Sequence, residues 1–360
     1  MSRHIAVWAA GLVCLVIAGQ AAAEPYLATY AGFKCSQCHV NPTGGGMRNT
    51  FGNSWAQTQL AATRIGPEDE LWTGVVNRFL AVGGNARAEG TWTRIPHEHD
   101  ANAFDVQEAR LYLEASVIPS RLSFYVDELV APGNADNREA NIRFWVQEGN
   151  LYVKAGRMYL PFGWRLEDDN AFVRQLSGIN MQTPDSGVEV GLERPNWTLQ
   201  LAVSNGSGGA PENDNGKQVT GRAEYVQTHW RIGASAAFND SDAGDRTAGA
   251  LFAGLRLGPT VWLGEVDYVE DDSLDNRDSV AALAELNWFV RKGHVLKLTH
   301  EWLDPDRDVD EDEQTRSSFV YEWWPVQFLE TRVGVRLYDG IPQNNMQNRT
   351  EAFAQLHAYF

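Results

Sequence analysis

The chain has 360 residues, and its 30 Lys+Arg against 47 Asp+Glu give a net charge of −17. That acidic surplus excludes nucleic acid and an anionic lipid surface as principal partners, and a hydrophobic content of 43% excludes a disordered chain. Three Cys exclude a disulfide-stapled scaffold, while 33 Gly with 13 Trp, 11 Tyr and 15 Phe point to a β-rich protein.

Residues 1–23 read as a secretory signal peptide. Arg3 gives the positive start, an apolar run spans Ala6 to Ala18, and Ala21 and Ala23 form a small-residue cleavage site. Cys14 lies inside the apolar run with no small-residue pair before it, which argues against a lipoprotein anchor. No later run approaches the ~20 apolar residues of a spanning helix. The mature chain is therefore expected to be periplasmic, secreted, or an outer-membrane barrel.

Residues 24–70 form the next unit, and CSQCH (35–39) marks it. CxxCH is the attachment motif for a single covalent c-type haem. Cys35 and Cys38 would make the two thioethers, and His39 would be the proximal iron ligand. A thioredoxin-like role would need a βαβ context, and the following VNPTGGGMRN does not supply one. A zinc site would need two more ligands nearby. For the distal haem position, Met47 lies across the Gly44-Gly45-Gly46 run, and its bland reading is packing on the ring. His97, His99 and His357 are alternatives from elsewhere in the chain, and five-coordinate iron is another. The segment is small for a self-contained core, so haem would act as its staple. Between Glu24 and Pro67, Lys34, Arg48 and Arg64 outnumber Glu24, whereas residues 71–360 carry 26 positive and 43 negative charges. The two parts are therefore expected to dock.

Residues 71–360 alternate apolar with polar residues in runs of about ten, and the separators alternate short and long. Sixteen strands are expected near 79–94, 105–117, 121–130, 141–148, 150–160, 186–194, 197–204, 218–226, 229–238, 247–257, 260–270, 278–290, 294–303, 315–324, 328–338 and 350–360. An even count with short turns at one end and long loops at the other predicts an all-β, antiparallel transmembrane barrel of porin type, with the haem segment as its lumen plug. In the last strand Ala352, Ala354, Leu356, Ala358 and Phe360 share one face, and Glu351, Gln355, His357 and Tyr359 the other. A terminal Phe on such a strand is similar to the signal read by outer-membrane assembly machinery. Near 105–117, Ala109, Leu111, Leu113, Ala115 and Val117 are expected to meet lipid, with Glu108, Arg110, Tyr112 and Glu114 facing inward. Trp302, Trp323 and Trp324 suit an aromatic girdle. A soluble β-sandwich would leave the loop order and the last strand unexplained.

The third long loop, near 161–185, is the longest. Folded inward, it would bring Trp164, Arg165, Asp168, Asp169 and Arg174 to a constriction; the plain alternative is a solvated lid. The seventh, DPDRDVDEDEQ (304–314), is acidic enough to attract divalent cations, although it lacks the Gly and Glu of an EF-hand.

With Ala28, Gly32, Cys35, Cys38, His39, Pro42 and the Phe51-Gly52 pair in place ahead of such a barrel, the chain resembles the fused outer-membrane monohaem cytochrome–porins, including those of iron-oxidising bacteria. The lead-in YLATYAGFKC and the stretch PTGGGMRNT depart from the iron-oxidase pattern. The resemblance implies an outer-membrane electron conduit passing electrons between an extracellular donor, foremost Fe(II), and a periplasmic cytochrome or cupredoxin. Two other classes stand beside it: a diffusion porin with an accessory haem segment, and an enzyme using five-coordinate haem. The stretch GRMYLPFGWRLEDD (156–169) is also similar to part of the phosphate-selective porins, but five scattered Lys do not make a phosphate ladder.

Overall fold

The computed structural model describes residues 24–360 other than 68–69, 169 and 213. The signal-peptide reading and Asp169 lie outside the described residues. After a short strand β1 (Val75–Asn77) come β2 (Leu80–Arg94), β3 (Ala101–Ile118), β4 (Leu122–Ala131), β5 (Asp136–Gln147), β6 (Leu151–Met158), β7 (Asp185–Glu193), β8 (Trp197–Ser204), β9 (Gln218–Val226), β10 (Trp230–Asn239), β11 (Arg246–Leu257), β12 (Thr260–Asp271), β13 (Arg277–Arg291), β14 (His294–Asp304), β15 (Gln314–Trp323), β16 (Leu329–Asp339) and β17 (Thr350–Tyr359). Each of β2–β17 pairs antiparallel with its chain neighbours, and β17 returns to β2 in the register Thr350↔Arg94 to Tyr359↔Asn85. The result is a closed sixteen-stranded barrel without an edge. The seam ends where Phe360 and Gly84 exchange backbone hydrogen bonds of 2.9 and 3.1 Å.

Strand periodicity sorts the two faces. Leu111, Leu113, Leu199, Leu201, Val266 and Leu356 point outward and exposed, forming the apolar outer wall that a membrane barrel offers to lipid. Arg110, Glu139, Lys154, Glu189 and Glu224 point inward and are buried. The expected faces of β3 and β17 match the structure. One expectation needs correction. Trp323 faces outward, but its neighbour Trp324 is buried inside, because adjacent strand residues take opposite faces. Two strands also begin earlier than their apolar runs suggest. β3 starts at Ala101 and β5 at Asp136, since the backbone ladder continues into polar sequence beyond the apolar band.

Two segments occupy the lumen. The first is residues 24–63. Helix α1 (Pro25–Ala31) opens with Pro in its first turn and ends on left-handed Gly32. Then follow a single turn, α2 (Cys35–Cys38), and α3 (Thr50–Trp55), which runs on through a π turn, Ala56–Leu60. Asn49 caps α3 by accepting a 2.9 Å bond from the Gly52 N–H. The segment leaves along a short turn, where Ala62 N–H donates to Trp324 O (2.8 Å) and Thr63 N–H to Pro325 O (3.1 Å). This plug therefore sits at the short-turn mouth. Its attachment to the barrel is not simply basic on acidic. Lys34 does pair with Glu193, but Glu24 pairs with Lys297 at 2.8 Å, and Arg48 lies 4.2 Å over the Tyr359 ring.

The second is the third long loop, residues 159–184, which takes the inward of its two readings rather than the solvated lid and carries α4 (Phe172–Ser177). Arg174 pairs with Glu265 and Asp267 of β12, and Phe172 N–H donates to Glu301 at 2.8 Å. Trp164 Nε1 donates to Gly264 O at 3.1 Å. Where loop and plug meet, Tyr26, Ala56 and Leu60 pack with Trp164, Phe172 and Val173 in one apolar core. An apolar core inside a barrel otherwise lined by charge is what shapes the site.

Candidate functional site

Between plug and inward loop lies a partly enclosed, mainly apolar cavity. Cys35, Cys38 and His39 line it from the plug, with Ala28, Phe33 and Trp55 beside them. Trp164, Arg165 and Glu167 line it from the loop, and Arg222, Trp324 and Glu330 from the wall.

Local sequence forces the motif into this place. Gly44, Gly45 and Gly46 all take positive φ (90°, 80° and 62°), which L side chains rarely adopt. The run is thus a fixed bend rather than a flexible spacer, and it folds Val40–Met47 back so that Val40 N–H donates to Met47 O at 3.0 Å. Asn49 N–H then donates to Cys38 O at 2.9 Å, which fixes α3 against α2.

The electrostatics of the motif separate its readings. Burial raises the Cys35 thiol, and burial with the neighbouring Cys35 raises Cys38 to about 11. Thiol–disulfide exchange uses the reverse, a lowered thiol pKa, so the redox-dithiol reading finds no support. Burial, reinforced by Arg48, lowers His39 to about 4. The ring is neutral at ordinary pH, the form that ligates metals. Its Nδ1 is buried without a hydrogen-bond partner. Two free thiols, a neutral imidazole and an adjoining cavity are what a flat cofactor bonded through Cys35 and Cys38 would need.

Met47 is not brought to this cavity. Its side chain is 2% exposed and packs with Val40, Tyr112 and Tyr125 against the wall, and its N–H donates to Tyr125 Oη at 3.0 Å. The candidate distal ligand therefore takes a packing place instead. His97 and His99 lie on the exposed turn between β2 and β3. His357 is inside the barrel, but its Nδ1 is 2.8 Å from Glu330 Oε2, and it does not line the cavity. Of the expected constriction residues, Trp164 and Arg165 join the cavity, Asp168 pairs with Arg316 at 2.8 Å, and Arg174 anchors the loop. Sequence reading did not connect Trp164 and Arg165 with the CxxCH, because the two segments are more than a hundred residues apart. Arg222 and Glu330 carry no local signal that singles them out, and Trp324 reads from sequence as a girdle residue.

Two further cavities adjoin. One opens at the short-turn mouth and is lined by Lys34, His39, Pro42, Trp145, Asn150 and Pro195. His39 and Lys34 thus lie on the wall it shares with the inner cavity. The other shares Glu24 and Glu167 with the inner cavity and carries much further charge, including Lys297, Arg316 and Arg336. Arg332 stands at that boundary: it pairs with Glu167 of the loop, with Glu322 of the wall at 3.1 Å, and with Glu24 of the plug at 3.7 Å. Among the described residues no group of three or more His, Cys, Asp and Glu is arranged to hold a metal ion, the acidic 304–314 loop included.

No protein-family model matches the chain, and no curated protein matches it. Among solved structures it is similar to OprB of Pseudomonas putida, at 8% identity over 79% of this chain and 94% of that one, with a TM-score of 0.63. It is also similar to a loop L8 deletion mutant of OmpT, an outer membrane protein of Vibrio cholerae, at 12% identity over 78% and 99%, TM-score 0.60. An anion-selective porin from Comamonas acidovorans gives 10% identity over 78% and 99%, TM-score 0.59. The chain has the porin type of closed barrel.

Proposed function

We propose that this is an outer-membrane electron conduit, carrying electrons through one haem bonded to Cys35 and Cys38 and ligated by His39, in the manner of the cytochrome–porins it resembles. Each thiol would add across a haem vinyl group, sulfur to one carbon and hydrogen to the next, so nothing would be released and nothing oxidised. The haem supplies one-electron exchange. The chain supplies position: the barrel wall excludes lipid, the inward loop covers the outer side, and the plug holds His39.

The observation that carries this reading is the place of His39, on the wall between the inner cavity and the vestibule at the short-turn mouth. A periplasmic cytochrome or cupredoxin in that vestibule would approach the proximal ligand directly. A haem confined to one side of a ~30 Å hydrocarbon core could serve only that side; a cavity inside the lumen shortens the path to both. Fe(II) is the proposed external donor, drawn by the acidic loops through field focusing, with any exchange occurring on encounter rather than at a built metal site. The diffusion-porin reading needs a continuous aqueous path, and loop and plug occupy the lumen between them.

Liposomes loaded with oxidised cytochrome c and carrying the purified protein test the proposal. External Fe²⁺ should reduce the enclosed cytochrome, and Cys35→Ala should abolish that reduction. If the interior stays oxidised while small solutes leak out, the protein is a porin and its haem serves another partner.

A further inference from the structure

We infer that the iron ligated by His39 has an open sixth position, a binding site for small exogenous haem ligands of the class of carbon monoxide, nitric oxide and cyanide. This rests on the haem reading of the CxxCH and goes beyond electron transfer, since a site with two protein ligands would exclude such molecules.

The ground is an elimination over the described residues. A second ligand from the protein would ordinarily be a His or Met side chain reaching the cavity. From Glu24 onward the chain has His at 39, 97, 99, 229, 294, 300 and 357, and Met at 47, 158, 181 and 346. Of these, only His39 lines the cavity. Residues 68–69, 169 and 213, which are not described, include neither type. The others do not line it. His97, His99, His229 and Met346 are exposed. His300 is on the outer wall, 2.9 Å from Ser317 Oγ, and His294 stacks on Tyr321 and Trp323. Met158 belongs to a separate apolar cluster with Leu160. Met181 packs against Tyr159 with its sulfur backed onto Gly45, the nearest of these side chains to the cavity, and is therefore among the variants tested below. Lys34 does line the cavity, but its Nζ pairs with Glu193 and donates to Arg194 O at 2.8 Å.

What the cavity offers instead is Trp164, Arg165 and Glu167 from the inward loop. Arg165 is 7% exposed, donates to Leu160 O at 2.9 Å and to Thr43 Oγ1 at 3.2 Å, and makes no ion pair among the described residues. Glu167 is committed to Arg87 and Arg332, and Trp164 and Arg165 carry no atom that ordinarily ligates iron.

The test uses the purified full-length protein in detergent. Haem that stays with the polypeptide on a denaturing gel first establishes the covalent site; its absence would sink the CxxCH reading and this inference with it. With haem present, dithionite reduction followed by carbon monoxide should shift the Soret band of the whole haem population. A covalent haem that is low-spin when reduced and unaffected by carbon monoxide overturns the open position while leaving the haem reading intact. Met47→Leu, Met181→Leu and His357→Gln should each leave the reduced spectrum unchanged. A variant that turns a low-spin spectrum high-spin would identify the sixth ligand and refute the inference.

Discussion

A Cβ built on Gly52 would collide with the carbonyl oxygen of Cys38. Helix α3 thus rests backbone to backbone on the turn that carries the CxxCH. Gly52→Ala must push α3 away, at a cost of about 1–3 kcal/mol by overpacking. The expected result is a barrel that still folds, with its heat-dependent gel mobility kept, while the plug loosens and covalent haem incorporation falls. Normal haem content in Gly52→Ala would show that the contact is dispensable.

Met47 offers the opposite expectation. It is buried against Tyr112 and Tyr125 and fills space there. Met47→Leu preserves volume and should cost under about 1.5 kcal/mol. Met47→Ala should cost about 2–5 kcal/mol through the cavity it leaves. Thermal unfolding in detergent separates the two variants, and comparable losses of stability would contradict a packing role.

Arg174 ties the inward loop to Glu265 and Asp267. Arg174→Met leaves two buried carboxylates facing each other unpaired, a loss of about 3–5 kcal/mol. The loop should then leave the lumen for part of the time, and sugar-driven liposome swelling should rise above the wild-type rate. Swelling equal to wild type would mean that other contacts suffice to hold the loop.

The loop should resist mild acid. Burial works to raise Glu167, but Arg332 and Arg87 outweigh it and hold the carboxyl well below the usual range. Asp168 is likewise held below its ordinary value by Arg316 and Arg336, against the effect of burial. A depressed carboxylate contributes stability that is complete above its unfolded value, about 4, and disappears as pH falls through the folded one. Glu24 acts in the other direction. Burial pushes it well above the usual range despite Lys297, so a falling pH favours the docked plug. Conductance should stay constant from pH 7 to about pH 4.5, with opening only below that. Opening already near pH 6 would contradict the role of these ion pairs.

The barrel was legible because its period of two runs through every strand, and because the separators alternate in length. Even the faces of β3 and β17 followed from counting. Cys35, Cys38 and His39 were legible because the motif is contiguous, and the structure does bring the three together at one cavity. The rest of that cavity was not. Trp164 and Arg165 reach it only because a loop folds through the barrel, and Trp324 only because its backbone turns one residue past an outward-facing Trp323. Such long-range juxtapositions leave no local period. That the Gly44–Gly46 run is a fixed bend was not legible either, since sequence records that glycine permits unusual φ, not that the fold demands it.

Arg332 touches a carboxylate of the plug, one of the inward loop and one of the wall. A single guanidinium is thereby the latch of three bodies, one near each mouth and one between. Neither stopper can swing free without breaking a bond that the other also uses. A disturbance arriving at the outer face should therefore register at the inner one. Amide exchange in the plug should quicken when the loop alone is released by Arg174→Met, and the two gates of this tube should open together or stay shut together.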